Sequence, residues 1–268
     1  MTSIHPTAVV DGAARLAPDV TVGAYAIIGP RVTLDAGVRV GHHAVIEGKT
    51  NIGEGTAIHP FACVGTPPQF LGHKPEDDTE LVVGRNNIIR EHVTINVGTR
   101  EGGGRTSIGD HGFFMTSAHI AHDCHIGDHV IMANCATLAG HVTIGNNVVI
   151  GGLSAVHQRV RIGDHAFIGG MTGVDGDVIP FGMVVGNPAH LSGLNVVGLK
   201  RRGFDRDAIA TLREAYRALF EEAGMSAERL SEAAQRFGKT PDAMRMIDFV
   251  QADSERALCR PGLNHGRR

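Results

Sequence analysis

Tryptophan is absent from this chain and aromatic residues make up only 4% of it, so the core has to be built from aliphatic side chains. Cysteine is scarce too. Cys63, Cys124, Cys135 and Cys259 are sparse and show no CxxC pairing, so the economical reading is small buried packers in a reducing, cytoplasmic setting. The opening Met1-Thr2-Ser3-Ile4-His5-Pro6 lacks a basic segment followed by an apolar one, so no secretory signal is expected. No run of about 18 apolar residues occurs, which argues against stable membrane insertion. Nor is there a basic surplus: the formal net charge of −3 gives no reason to expect a nucleic-acid partner. What the 268 residues do hold in excess is glycine, 36 of them, and histidine, 16 of them. The first implies a backbone that turns often, the second many groups able to change charge near neutral pH.

The glycines follow a ruler. Val10, Leu16, Val22, Ile28, Leu34, Val40, Ile46, Ile52, Ile58 and Val64 lie six apart. The count resumes at Val83, Ile89 and Ile95, and again from Ile108 through Ile120, Ile126, Leu138 and Ile144 to Val174. All 25 slots are apolar and 12 of them are followed directly by Gly, far beyond what a 42% hydrophobic composition gives by chance. A period of six is neither helical nor a simple strand alternation. It is the signature of a hexapeptide β-helix, in which three short strands close one triangular coil of 18 residues and coils stack at roughly 4.8 Å.

Two interruptions, 66–80 and 98–107, are too polar or too rich in Pro and Gly to be coils and read as loops extruded from the stack, a common place for function. The β-helix is expected over 1–190. Beyond it, over 191–268, Asp205, Ser226 and Thr240-Pro241 look like three helix starts, so the chain should close on a small three-helix domain, frayed from about Cys259.

The chemistry gathers around Ala118-His119-Ile120-Ala121-His122-Asp123-Cys124. His122 is two past Ile120 and Gly140 two past Leu138, so the two should face each other one coil apart. His119 and His141 flank that rung and His157 lies one coil beyond Ala139. A neutral imidazole can take a proton from a hydroxyl, and a backbone N–H such as that of Gly140 can stabilise an oxyanion. Residues alone leave two other readings open: solvated corner histidines, or a three-histidine metal site.

Three stretches carry a resemblance: 118–124, then Ala133-Asn134-Cys135-Ala136-Thr137-Leu138-Ala139-Gly140-His141-Val142, then Gly198-Leu199-Lys200-Arg201-Arg202-Gly203-Phe204. Together they resemble the UDP-N-acetylglucosamine O-acyltransferases of lipid A synthesis, over nearly the whole chain. The resemblance implies an all-β left-handed parallel β-helix with a C-terminal helical domain, an exception to right-handed crossovers. It also implies a homotrimer with sites between subunits, and no metal or other cofactor. The implied reaction moves a 3-hydroxyacyl chain from acyl carrier protein to the 3-hydroxyl of UDP-N-acetylglucosamine. Carried over, His122 is the base, Asp123 its partner and Gly140 the oxyanion donor. His119, His141, His157, Gln158, Asn195 and Gln69 contact substrate and Arg201 meets the nucleotide's phosphates. Gly170 stands where the family stops the acyl chain; its missing side chain implies a longer donor, and Gly170→Met a shorter one.

The chain departs from the family pattern twice. After Pro68-Gln69-Phe70-Leu71, where the family places a Lys, stands Gly72, with His73 and Lys74 beyond; Lys74 is the candidate replacement. Val197 occupies the position of a family Glu. These departures keep a 3-amino sugar nucleotide in play as acceptor. A γ-carbonic-anhydrase-like zinc lyase and a non-catalytic scaffold remain as rival readings of the same coil.

Overall fold

Burial of the ruler is what makes the coil. In the computed structural model, which describes residues 3–220 and 226–262, every ruler residue except Val10 and Leu16 of the first coil is buried. A second buried column, not read from the sequence, runs two residues ahead of it. That column is mixed: Ala26, Ala44, Ala62, Ala118, Cys124, Ala136, Thr106, Ser154 and Thr172 are all at most 1% exposed, and buried valines such as Val20, Val38, Val130, Val142, Val148 and Val160 fill other slots. Each rung thus turns two side chains inward, the ruler residue and a partner that is often smaller, which lets a narrow triangular core fill.

Three walls result. The first is an 11-stranded sheet, the second has 9 strands and the third 8, and the chain visits them in that order once per coil. All pairs are parallel except the last, where His190–Leu194 folds back antiparallel on Gly182–Val185. The register advances by 18 residues, as in His119↔Thr137 and Ile120↔Leu138. The fold is a left-handed parallel β-helix.

The edge between the third and first walls explains the glycines after the ruler. Asp110, Asp128, Asn146 and Asp164 each accept the N–H of a residue one coil earlier, at 2.7–2.8 Å. A Cβ on Gly109, Gly127 or Gly145 would collide with the next carboxyl or amide oxygen in that ladder. Histidine abundance has a partly structural origin as well. His43, His92, His111, His129, His141 and His165 take left-handed corner conformations, φ 57–63°, a region open to Asn, Asp and His more than to other side chains. On one edge Tyr25, His43, Phe61 and His92 stack in a column at 5.0–5.2 Å.

Several boundaries differ from expectation. Strand pairing extends to Thr66 and resumes at Glu80, and Arg105–Ile108 is already a strand, so the extrusions are 67–79 and 97–104. The coil's last strand runs to Leu194 rather than stopping at 190, because the antiparallel return caps the open end of the first wall. Among the described residues the tail has four helices, not three: a short α1 (Val196–Arg201) precedes α2 (Arg206–Phe220), α3 (Ala227–Phe237) and α4 (Pro241–Gln251). Asp205 and Ser226 do cap α2 and α3, accepting from Ala208 N–H and Arg229 N–H, and Pro241 opens α4. Nor does the chain fray at Cys259. Asp177 N–H donates to Ala257 and Cys259 N–H donates back to Asp177, both at 2.8 Å, tying this segment to the final coil. The expected fray beyond residue 262 lies outside the described residues. No described helix is long and apolar enough to cross a membrane.

Candidate active site

The edge between the second and third walls gathers the candidates. The strands Cys63–Thr66, Thr94–Asn96, His119–Ile120, Thr137–Leu138 and Ala155–Val156 are successive rungs of the second wall. The first loop leaves the coil from the first of these rungs and the second loop from the next. His122, His141 and His157 follow the remaining three. Both loops and the histidines therefore share one edge because each extrusion interrupts the same corner.

His122 lies directly over Gly140. A Cβ placed on Gly140 would stand 2.5 Å from His122 Cε1 and 2.8 Å from Nε2, so only glycine leaves room for the ring. His122 Nδ1–H donates to Asp123 Oδ2 at 2.8 Å. A carboxylate only accepts, so this bond fixes the proton on Nδ1 and leaves the Nε2 lone pair as the proton acceptor. Asp123 itself is 2% exposed and held by residues the sequence did not reveal. Thr99 Oγ1–H donates to Oδ2 at 2.6 Å and Thr99 N–H to Oδ1 at 2.9 Å. Thr106 Oγ1 accepts the Asp123 N–H. The second loop is thus a clamp on the carboxylate; only its length hinted at a role.

His141 packs edge-on against His122 at 5.1 Å and Phe70 of the first loop lies 5.9 Å from it. Burial, then the neighbouring His122, holds His119 below the usual imidazole range, and burial does the same for His141. His119 is further tied by a 2.7 Å bond between Nδ1 and Thr94 Oγ1. Cys124 is no nucleophile: burial pushes its thiol up to about 12. The N–H of Gly140 enters no hydrogen bond within the described residues, which suits it to an incoming oxyanion.

One atom each from His122, Asp123 and His141 lie within 4.8 Å of one another, the best approach to a metal set among the described residues. That set is a poor fit for a cation. Both Asp123 oxygens and His122 Nδ1 are already spent on the bonds above.

The remaining candidates divide between this edge and other parts of the coil. Gln158 follows His157 on the same edge, and Gln69 and Lys74 extend from the first loop with exposed side chains. Gly170 is on a different edge, between the first and second walls, so a sideways offset adds to its rise above His122; a Cβ there meets only Gly152 O at 3.4 Å. Asn195 and Arg201 line a cavity of about 550 Å³ with Val197, Gly198 and Arg202, floored by Ile131, Val149, Phe167 and Met183 of the first wall. That wall faces away from the His122 edge. Asn195 is 6% exposed, and its amide caps α1 through Gly198 N–H while donating to His165 O. One chain therefore does not bring Asn195 and Arg201 to His122.

A triangular coil with a carboxylate-held imidazole on one edge and a helical cap defines a hexapeptide-repeat acyltransferase. The family model for UDP N-acetylglucosamine O-acyltransferase, domain 2, matches residues 177–259. An acyl-[acyl-carrier-protein]–UDP-N-acetylglucosamine O-acyltransferase of Azorhizobium caulinodans is 54% identical over 96% of this chain and 95% of its own. The enzyme of that name from Caulobacter vibrioides is 55% identical over 78% and 79%. Among solved structures, UDP-N-acetylglucosamine O-acyltransferase of Moraxella catarrhalis superposes with a TM-score of 0.92 at 40% identity, covering 96% of this chain and 99% of that one. The chain belongs to the acyl-[acyl-carrier-protein]–UDP-N-acetylglucosamine O-acyltransferase family.

Proposed function

We propose that this acyltransferase of lipid A synthesis moves a 3-hydroxyacyl chain from acyl carrier protein to the 3-hydroxyl of UDP-N-acetylglucosamine, with His122 as general base. The observation that carries the reading is the Asp123–His122–Gly140 stack: a carboxylate fixing one ring nitrogen, a free lone pair on the other, and a main-chain N–H at the ring's far side. Nε2 takes the proton of the sugar hydroxyl as its oxygen attacks the thioester carbonyl. The tetrahedral oxyanion is met by Gly140 N–H, the thiolate leaves, and the imidazolium returns its proton to it. Direct transfer of this kind needs no metal and no protein nucleophile.

The nucleotide is assigned to the Asn195–Arg201 cavity, with Arg201 offering a guanidinium to phosphate. Because that cavity and the His122 edge lie on opposite sides of one prism, the reading requires a second copy to supply one of them, in keeping with a homotrimer. The exposed side chains of Gln69 and Lys74 suit contact with the sugar across that seam. The relatives' names favour the hydroxyl acceptor over a 3-amino one.

The test is product mass after incubation with UDP-N-acetylglucosamine, or its 3-amino analogue, and 3-hydroxyacyl carrier proteins of several lengths. The expected product is an O-acylated sugar nucleotide, and His122→Ala should lower kcat by at least about 10²-fold. Retention of the native rate by that variant ends the mechanism.

A further inference from the structure

We propose that Arg256 is a positioning residue for the transfer: it holds the His157 imidazole as the tautomer whose proton sits on Nε2, making that nitrogen the ring's donor toward substrate. The inference rests on the reading that His157 meets substrate.

Arg256 lies on the strand-like segment after α4, just ahead of the stretch expected to fray, and is anchored from both sides. Asp177, 0% exposed, receives Arg161 at both carboxylate oxygens, 2.7 and 2.8 Å. Through its main chain Asp177 pairs with Ala257 and Cys259. Cys259 Sγ adds a contact to Gly176 O at 3.3 Å, and Glu255 is held by Arg159 at 2.7 Å. With residues on both sides fixed, the Arg256 guanidinium is delivered to the catalytic edge. Its Nε donates to Gln158 O at 2.9 Å and its Nη2 meets His157 Nδ1 at 2.6 Å.

The chemistry of that last contact decides the tautomer. A guanidinium has five N–H donors and no acceptor, so Nδ1 must supply a lone pair. The competing arrangement, Nδ1–H donating to Gln158 O, has a distance of 3.5 Å, at the limit of a hydrogen bond. The shorter contact wins, and the proton goes to Nε2. His157 and His122 on the same edge are thereby set to opposite tasks. A carboxylate on Nδ1 turns His122 Nε2 into an acceptor, and a guanidinium on Nδ1 turns His157 Nε2 into a donor.

The test uses full-length enzyme with ¹⁵N-labelled histidine, in which two-bond proton–nitrogen spectra report which ring nitrogen carries hydrogen; His157→Gln identifies the signal. In the native enzyme His157 should show hydrogen on Nε2. Arg256→Met should introduce the Nδ1–H form, and Arg256→Lys, still only a donor, should restore the native pattern. In the acyl-transfer assay Arg256→Met and His157→Gln should each lower kcat/KM about 3–10-fold, the effect of one neutral hydrogen bond, and the double variant should lose no more than the worse single one. Hydrogen on Nδ1 in the native enzyme, a spectrum unmoved by Arg256→Met, or losses that multiply in the double variant would each overturn the proposal. Failure of the proposed function is separable: the native enzyme would acylate no sugar nucleotide, while the spectra would still decide the tautomer.

Discussion

Gly140→Ala separates geometry from hydrogen bonding at the catalytic edge. The substitution keeps the main-chain N–H offered to the oxyanion and adds one methyl group. That methyl would stand 2.5 Å from His122 Cε1 and 2.8 Å from Nε2, so the ring must retreat by about 1 Å to regain ordinary carbon contact. It has little freedom to do so, being bonded to Asp123, edge-packed by His141 and neighboured by Phe70. A misplacement of 1 Å costs roughly 10²-fold in rate, or about 2.7 kcal/mol of transition-state stabilisation. Stability should fall only modestly. Gly140 does not have a left-handed φ, so the backbone gain of about 0.4–1 kcal/mol from alanine offsets part of an overpacking cost of about 1–3 kcal/mol. The expected pair of results is therefore a slightly lowered Tm with the fold intact and a kcat/KM lowered about 10²-fold. Activity within threefold of native would refute the reasoning, because the ring would then not need the space that glycine leaves.

Thr99→Val removes the 2.6 Å hydroxyl bond to Asp123 while the main-chain bond remains. A hydrogen bond to a charged group is worth about 1.5–3 kcal/mol, so kcat should fall about tenfold with KM little changed, and an unaltered kcat would remove the second loop from the mechanism. His165, stacked on Phe181 and met edge-on by Phe204, has a buried Nδ1 without a partner among the described residues and is held below its ordinary value of 6.5 by burial and then Arg202. The unfolded chain then binds the extra proton first, so this stabilising contribution is complete above pH 6.5 and is lost as pH falls through the lower folded value. His165→Phe should raise Tm by about 2–4 °C per kcal/mol gained and flatten its decline between neutral and acid pH; an unchanged acid limb in thermal melts would contradict this. Co-expressed His122→Ala and Arg201→Ala chains, each inactive alone, should recover about a quarter of native activity if sites are shared in a closed ring, and none if each chain carries a whole site.

The coil was legible because its physics repeats. One buried side chain every six residues, followed so often by glycine, leaves a mark in 25 slots that no single position has to carry. The placement of His122 over Gly140 follows from the same repeat by counting one coil of 18. The second buried column was equally periodic, yet it mixes Val with Ala, Cys, Thr and Ser, so its period is diluted where the ruler's is not. Corner histidines were misleading in the opposite sense. A residue type suited to a left-handed turn and a residue type suited to proton transfer are the same: His129 sits at such a corner, whereas His122 stands one residue before it, bonded to the corner residue Asp123.

What the count cannot reach is any contact made by a segment that leaves the coil. Thr99 meets Asp123 across 24 residues and Arg256 meets His157 across 99; neither pair shares a period. Both contacts nonetheless fall on one edge, and for a reason. The repeat consumes the main-chain bonds of the walls, so an added segment finds unpaired main-chain groups mainly at the corners and at the open end of the coil. The second and third walls meet at the corner where both loops leave and to which the C-terminal segment returns. Chemistry on this fold is therefore concentrated where the repeat is interrupted, and a sequence that shows where the count breaks also shows which corner to search for the base. For this chain the breaks after Val64 and Ile95 lie two and one coils below His122, on the same corner of the same wall.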